Sequence, residues 1–117
     1  MSLIDKKILI VEDEEIARDA LKLIMKKHYK DVIAVRNGAE GFEAIESFNP
    51  DLIITDLAMP VMDGFLFIEK LRESHPELSI LIVTAYREEA DDFHDYKVVY
   101  KPVGRGELLE AVKDCLA

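Results

Sequence analysis

The sequence predicts an α/β chain folded around a doubly wound, five-stranded parallel sheet, and three observations predict it. Five short apolar runs recur along the 117 residues, each too short for a helix. They are continuously apolar where a strand with one wet face would alternate, so each reads as buried on both faces. Helical patterns stand between them, and strands alternating with helices imply right-handed crossovers with helices on both faces.

Strand one is Lys7–Val11. Glu12 to Glu15 lead into a helix with Ile16, Ala20, Leu21, Ile24 and Met25 on its apolar face and Arg18, Lys22 and Lys26 opposite. Its acidic start and basic finish suit the helix dipole. Strand two is Asp31–Val35. Asn37-Gly-Ala-Glu40 then forms a capping-box-like start to a helix bearing Phe42, Ala44, Ile45 and Phe48.

Strand three is Leu52-Ile53-Ile54, and Asp56 stands where it ends. Pro60 cannot continue a ladder and Asp63-Gly64 marks a turn. The helix after it, Phe65–Glu73, turns Phe65, Ile68 and Leu71 inward. Strand four, Ile80–Val83, ends at Thr84, and strand five, Lys97–Tyr100, ends at Lys101-Pro102. The last helix, Gly106–Cys115, packs Leu108, Leu109, Val112 and Leu116. Only Tyr86 to Tyr96 separate strands four and five, at the floor of about 10–12 residues for a whole crossover, so the fourth helix is expected to be short or distorted.

A chain of 117 residues is long enough for one packed core and too short for two, so a single domain over residues 1–117 is expected. No apolar run approaches a membrane span, and the N-terminus has no apolar signal region. The single Cys115 excludes an internal disulfide and fits a reducing, cytoplasmic setting. A net charge of -9 with no basic stripe argues against direct nucleic-acid binding. His28, His75 and His94 show no metal-ligand spacing.

The chemistry collects at the carboxyl edge of the sheet, where ligands of open α/β folds bind. Strand one delivers Glu12 and Asp13, strand three Asp56, strand four Thr84 and strand five Lys101. Crowded carboxylates repel unless a cation joins them. Mg²⁺ suits such a rim, since it takes oxygen ligands and also grips phosphate. Lys101 adds a second positive charge, expected to lie too far along the rim to neutralise all three acids. An aspartate, a divalent metal, a lysine and a hydroxyl make a phosphoryl-transfer set, with the aspartate as nucleophile.

Glu12-Asp13, Asp56 before Met59-Pro60 and Asp63-Gly64, Thr84-Ala85 and Lys101-Pro102 together resemble the receiver domain of two-component response regulators, over nearly the whole chain. The resemblance implies a flavodoxin-like sheet of order 2-1-3-4-5, an order borrowed from the family. It implies Asp56 as phosphoacceptor, taking phosphoryl from a sensor histidine kinase or histidine phosphotransfer protein. Glu12 and Asp13 resemble the acidic pair that holds Mg²⁺ with Asp56, and the Ala58 backbone carbonyl a further ligand. Thr84 resembles the switch hydroxyl, Lys101 the phosphate partner, and Lys101-Pro102 the family's cis peptide. Such a domain is a phosphoacceptor and not a conventional enzyme.

Two departures stand out. Val98 occupies the position three before Lys101 where the family usually has an aromatic, and the fourth connection is short. Stiff, β-branched Val98 cannot swing as that ring does. A phosphorylation response carried by the loops Leu57–Asp63 and Ala85–Asp92, with Tyr86 changing exposure, is therefore expected. The alternatives are a receiver-like interaction module that works without phosphorylation and a haloacid-dehalogenase-like phosphatase. The second would need an acid two residues after Asp56, where this chain has Ala58.

Overall fold

β3, Leu52–Thr55, runs through the middle of the sheet, and everything else is laid against it. The computed structural model describes residues 2–57, 64–85, 93 and 95–117. In chain order the elements are β1 (Ile4–Val11), α1 (Glu15–Lys26), β2 (Tyr29–Val35), α2 (Gly38–Phe48), β3, α3 (Gly64–Ser74), β4 (Ser79–Thr84), β5 (Lys97–Tyr100) and α4 (Arg105–Leu116). The five strands are all parallel in the order β2-β1-β3-β4-β5. The expected short helix between β4 and β5 falls on residues that, but for Phe93, Asp95 and Tyr96, lie outside the described ones. Four helices remain among those that are described.

Successive strand residues point to opposite faces, and this divides the core in two. Ile8 and Ile10 of β1 pack with Leu52, Ile54, Leu81 and Val83 against Leu21 and Met25 of α1 and Leu108 and Val112 of α4. Leu9 and Val11 pack with Ile53, Ile80 and Ile82 against Ala44 and Ile45 of α2 and Phe67, Ile68 and Leu71 of α3. Two layers of helix on a sheet buried from both sides explain why the strand runs are apolar throughout.

Several boundaries move. β1 begins at Ile4 and β2 at Tyr29, because a first ladder step pairs Ile4 with Tyr29 ahead of an irregularity. Ile4 to Lys7 project beyond the start of β3 and stay exposed, so they leave no apolar signal. On α1, Ile16 is 78% exposed and Ala20 is also outside, against expectation. At 3.6 residues per turn, Ile16 sits roughly 140° around the helix from buried Leu21, too far to share its face. On α3 the fully buried aromatic is Phe67, while Phe65 is half-buried against the Phe93 ring at 5.2 Å.

α2 starts nearly as its motif predicts. The Asn37 side chain accepts from the Glu40 amide at 2.9 Å. Glu40 reaches back one residue further than a standard box, to the Arg36 amide at 2.9 Å, because the Arg36 guanidinium holds its other oxygen. The helix stops at Asn49, whose φ of 53° is the left-handed turn asparagine tolerates.

Candidate functional site: a buried acid pair held by one lysine

The ladders do not stop where the strands do, and this fixes the site. Just past β1, the Glu12 amide donates to the Val35 carbonyl at 3.1 Å. Past β3, the Asp56 amide reaches the Val11 carbonyl at 3.4 Å, and past β5 the Lys101 amide reaches the Thr84 carbonyl at 2.9 Å. Three chemically active residues thus have backbones set by the sheet, while their side chains turn over its carboxyl edge.

There they meet. The Lys101 ammonium donates to Asp56 Oδ2 at 2.7 Å and to Glu12 Oε1 at 2.8 Å. Glu12 is only 2% exposed and Asp56 7%. The other oxygens are also held: Asp56 Oδ1 accepts from the Leu57 amide at 2.6 Å, and Glu12 Oε2 from the Glu14 amide at 3.2 Å. The two lysine bonds agree with the expectation that Lys101 lies too far along the rim to neutralise all three acids. It reaches two of the three acids because β5 ends one strand beyond β4 and its long side chain crosses the gap.

Charge and burial pull in opposite directions here. Burial raises the Glu12 carboxyl above its ordinary value, more than Lys101 and the Glu14 amide lower it. Burial would depress Lys101, but the bonds to Asp56 and Glu12 outweigh it and its ammonium is held above the ordinary lysine value. The lysine is thus a fixed cation and not a proton acceptor.

The other predicted residues fall as follows. Thr84 is fully buried at the end of β4, with Tyr100 beside it in the β4–β5 register. Asp13 is exposed on the rim, where the Arg18 guanidinium donates to the backbone carbonyls of Glu12 and Asp13 at 3.1 and 3.3 Å. Among the described residues, no three acid, histidine or cysteine side chains converge on one metal position. Ala58, the loop to Asp63, and Tyr86 lie outside the described residues. Val98 is half-buried and packs on the core between the sheet and α2–α3.

One residue of the site carries a role its sequence context only partly signals. Gly64 opens α3 directly against the end of β3, and its amide donates to the Leu57 carbonyl at 2.8 Å. A Cβ there would come within 2.3 Å of the Asp56 carbonyl oxygen and 2.4 Å of Leu57 Cα. The signal was a glycine between a strand-end acid and a helical pattern, which the turn reading of Asp63-Gly64 absorbed.

The family model for the response regulator receiver domain matches residues 8–113. The chain belongs to that family. The receiver is 32% identical over 112 residues to "Regulator of RpoS" of Escherichia coli K12, covering 96% of this chain and 32% of that protein. It therefore spans about a third of that relative's length. It is 26% identical to the chemotaxis protein CheY of Halobacterium salinarum, covering 95% of this chain and 97% of that one. Among solved structures, it matches the response regulator protein TrrA of Thermotoga maritima in complex with Mg(2+)-BeF. The TM-score is 0.85 at 31% identity, over 95% of this chain and 99% of that one. The fold class and strand order predicted from the resemblance are those found. The predicted Lys101-Pro102 cis peptide is also present. No described helix is long and apolar enough to cross a membrane.

Proposed function

We propose that Asp56 is the phosphoacceptor of a two-component phosphorelay and that its phosphorylation switches partner interactions. The donor is the phosphohistidine of a sensor kinase or histidine phosphotransfer protein. The observation that carries this is the Lys101 ammonium lying on both Asp56 and Glu12, at 2.7 and 2.8 Å, over a sheet edge. Asp56 Oδ1 is engaged by the Leu57 amide, and we assign Oδ2, on the Lys101 side, as the nucleophile. Oδ2 forms the new bond to phosphorus as the phosphorus–nitrogen bond of the donor breaks, and the imidazole leaves with the electron pair and takes up a proton. Lys101 then shifts its donation to the equatorial oxygens of the incoming group, where charge accumulates in such transfers. Thr84, at the end of the neighbouring strand, supplies a hydroxyl to the same group.

Two buried carboxylates against one ammonium leave a negative charge over, before Asp13 is counted. An all-oxygen donor set with that excess fits Mg²⁺, which is commonly held by one or two carboxylates and several waters. Asp13 and Asp56 would hold it directly, with Glu12 mostly through water and the Ala58 carbonyl as a further ligand. Bound there, Mg²⁺ would neutralise charge on the transferred group. The chain's own work is orientation: strand ends fix three side chains and the apolar layers keep water from two of them.

The test is intact mass after incubation with a small phosphodonor and Mg²⁺. One added phosphate is expected in the wild type and none in Asp56→Asn. Labelling that persists in Asp56→Asn would assign the reaction to another group. No labelling of the wild type would favour the phosphorylation-independent module, for which Val98 in place of an aromatic is the motive.

A further inference from the structure

Arg72, in the last turn of α3, grips the stretch that leads into β5. Its Nη2 donates to both carboxylate oxygens of Asp95, at 2.8 and 3.0 Å, and its Nε donates to the Tyr96 hydroxyl at 3.3 Å. The guanidinium lies over the Phe93 ring at 5.3 Å and over the Tyr96 ring at 5.0 Å. A planar fork that pairs a carboxylate while stacking on two rings has a fixed geometry that the single ammonium of lysine cannot copy. Phe93 is itself buried and packs on Phe65 of α3, so the stretch is held by apolar contact as well.

The other end of α3 is just as tightly seated. Gly64 donates to the Leu57 carbonyl, and the backbones approach so closely that no Cβ would fit beside the Asp56 carbonyl. Eight helical steps, about 12 Å at 1.5 Å each, separate Gly64 from Arg72. On the other side, β5 begins right after Tyr96, runs four residues to Tyr100 and is followed at once by Lys101, whose ammonium touches Asp56. These contacts close a ring that passes from Asp56 and Leu57 through Gly64 and α3 to Arg72. It returns through Asp95, Tyr96 and β5 to Lys101.

We propose that Arg72 is a positioning residue that couples the Lys101–Asp56–Glu12 centre to the surface around Asp95 and Tyr96. It touches none of the three. It fixes where β5 starts relative to α3, and so how firmly Lys101 is held on the two carboxylates. The ring needs no moving aromatic at Val98. Asp95 and Glu69, the acids beside Arg72, have side chains that are each 60% exposed, so a change at the centre is displayed where a partner can meet it. Only the metal arm of the test below rests on the phosphoacceptor assignment.

Nuclear magnetic resonance of the full chain without ligand tests the coupling in both directions, since coupling between sites is reciprocal. In Arg72→Ala and Arg72→Lys the Lys101 side-chain signals are expected to shift. In Lys101→Met the Arg72 Nε–H signal is expected to shift, while that of Arg36, paired with Glu40 on α2, stays in place. Arg36→Ala, which removes a comparable ion pair unconnected to β5, should leave the Lys101 signals unmoved. Lys101 and Mg²⁺ compete for the same carboxylates, so Arg72→Ala should bind Mg²⁺ more tightly, about fivefold, and add nothing in the Lys101→Met background. A merely structural loss would leave Mg²⁺ affinity unchanged or weaken it. Unmoved Lys101 signals in Arg72→Ala overturn the coupling whatever the metal does, including where Lys101→Met fails to fold. Unchanged or weaker Mg²⁺ binding by Arg72→Ala overturns the direction assigned to it. A wild type that binds no Mg²⁺ refutes the metal site of the phosphoacceptor assignment and leaves the Lys101 signals to decide the coupling.

Discussion

At Glu12 burial and pairing oppose each other, and its titration follows from that contest. Burial holds its carboxyl above the ordinary value of 4.5, despite the bonds from Lys101 and the Glu14 amide. The folded chain therefore binds this proton more tightly than the unfolded chain does. The stabilisation is fully present below the ordinary value and is lost as pH rises through the elevated folded value. Glu12→Gln, which fixes the neutral form, should melt above the wild type near neutral pH. The gap should close below about pH 4, where both side chains are uncharged. A gap that widens on acidification would mean that the pair with Lys101 outweighs burial. Lys101→Met is the complementary case, since it leaves two buried carboxylates without their cation. It should cost about 2 to 4 kcal/mol near neutral pH by urea unfolding, discounted from the loss of a fully buried pair because the lysine side chain is 29% exposed. Its raised ammonium carries the same sign as Glu12. That contribution is present below the ordinary lysine value and fades only as pH climbs through the higher folded one.

At the scale of elements, the seat of α3 on the end of β3 decides how well Asp56 is held. Gly64→Ala drives a Cβ into backbone atoms at 2.3 and 2.4 Å, and backbone cannot step aside as a flexible side chain can. A cost of about 3 kcal/mol is expected in urea unfolding, with α3 displaced and Asp56 with it. Gly106→Ala in α4 is the control, since nothing lies within 4 Å of its Cβ position. It should gain up to about 1 kcal/mol by stiffening the unfolded chain. If the two variants behaved alike, the close approach at Gly64 would not matter. Elements like these were legible to different degrees. The strands declared themselves because burial on both faces leaves unbroken apolar runs such as Leu52-Ile53-Ile54. Glu12 and Lys101 could be found because each follows such a run directly, and Asp56 because only Thr55 separates it from one. The orientation of α1 was not legible, since Ile16 and Leu23 are apolar yet exposed, and periodicity alone cannot tell a wet apolar stripe from a buried one. The Arg72 grip was hidden as well: its partners lie 23 and 24 residues away, and no local pattern announces a contact at that range.

For the whole molecule, the net charge of -9 and the acid centre act in the same sense. An acidic chain attracts cations generally, through a field that salt screens within about 10 Å at ordinary ionic strength. A specific Mg²⁺ site would add a short-range contribution that screening barely touches, so the two can be separated by matching ionic strength. A ligand bound only to the native state stabilises it by about 2.7 kcal/mol at a hundred times its dissociation constant. For a domain near 100 residues, each kcal/mol moves the melting temperature by about 4–8 °C, so Mg²⁺ at that concentration should raise Tm by roughly 10–20 °C. Sodium chloride at the same ionic strength should do much less. Asp56→Asn removes one of the two buried carboxylates and should lose most of the Mg²⁺ increment. Lys101→Met should enlarge it, because the metal would then be the only cation available to Glu12 and Asp56. Scanning calorimetry of the three chains with and without Mg²⁺ checks all of this together. An equal rise from sodium, or an undiminished Mg²⁺ increment in Asp56→Asn, would assign the effect to the acidic surface as a whole and leave the strand-end carboxylates without a metal role.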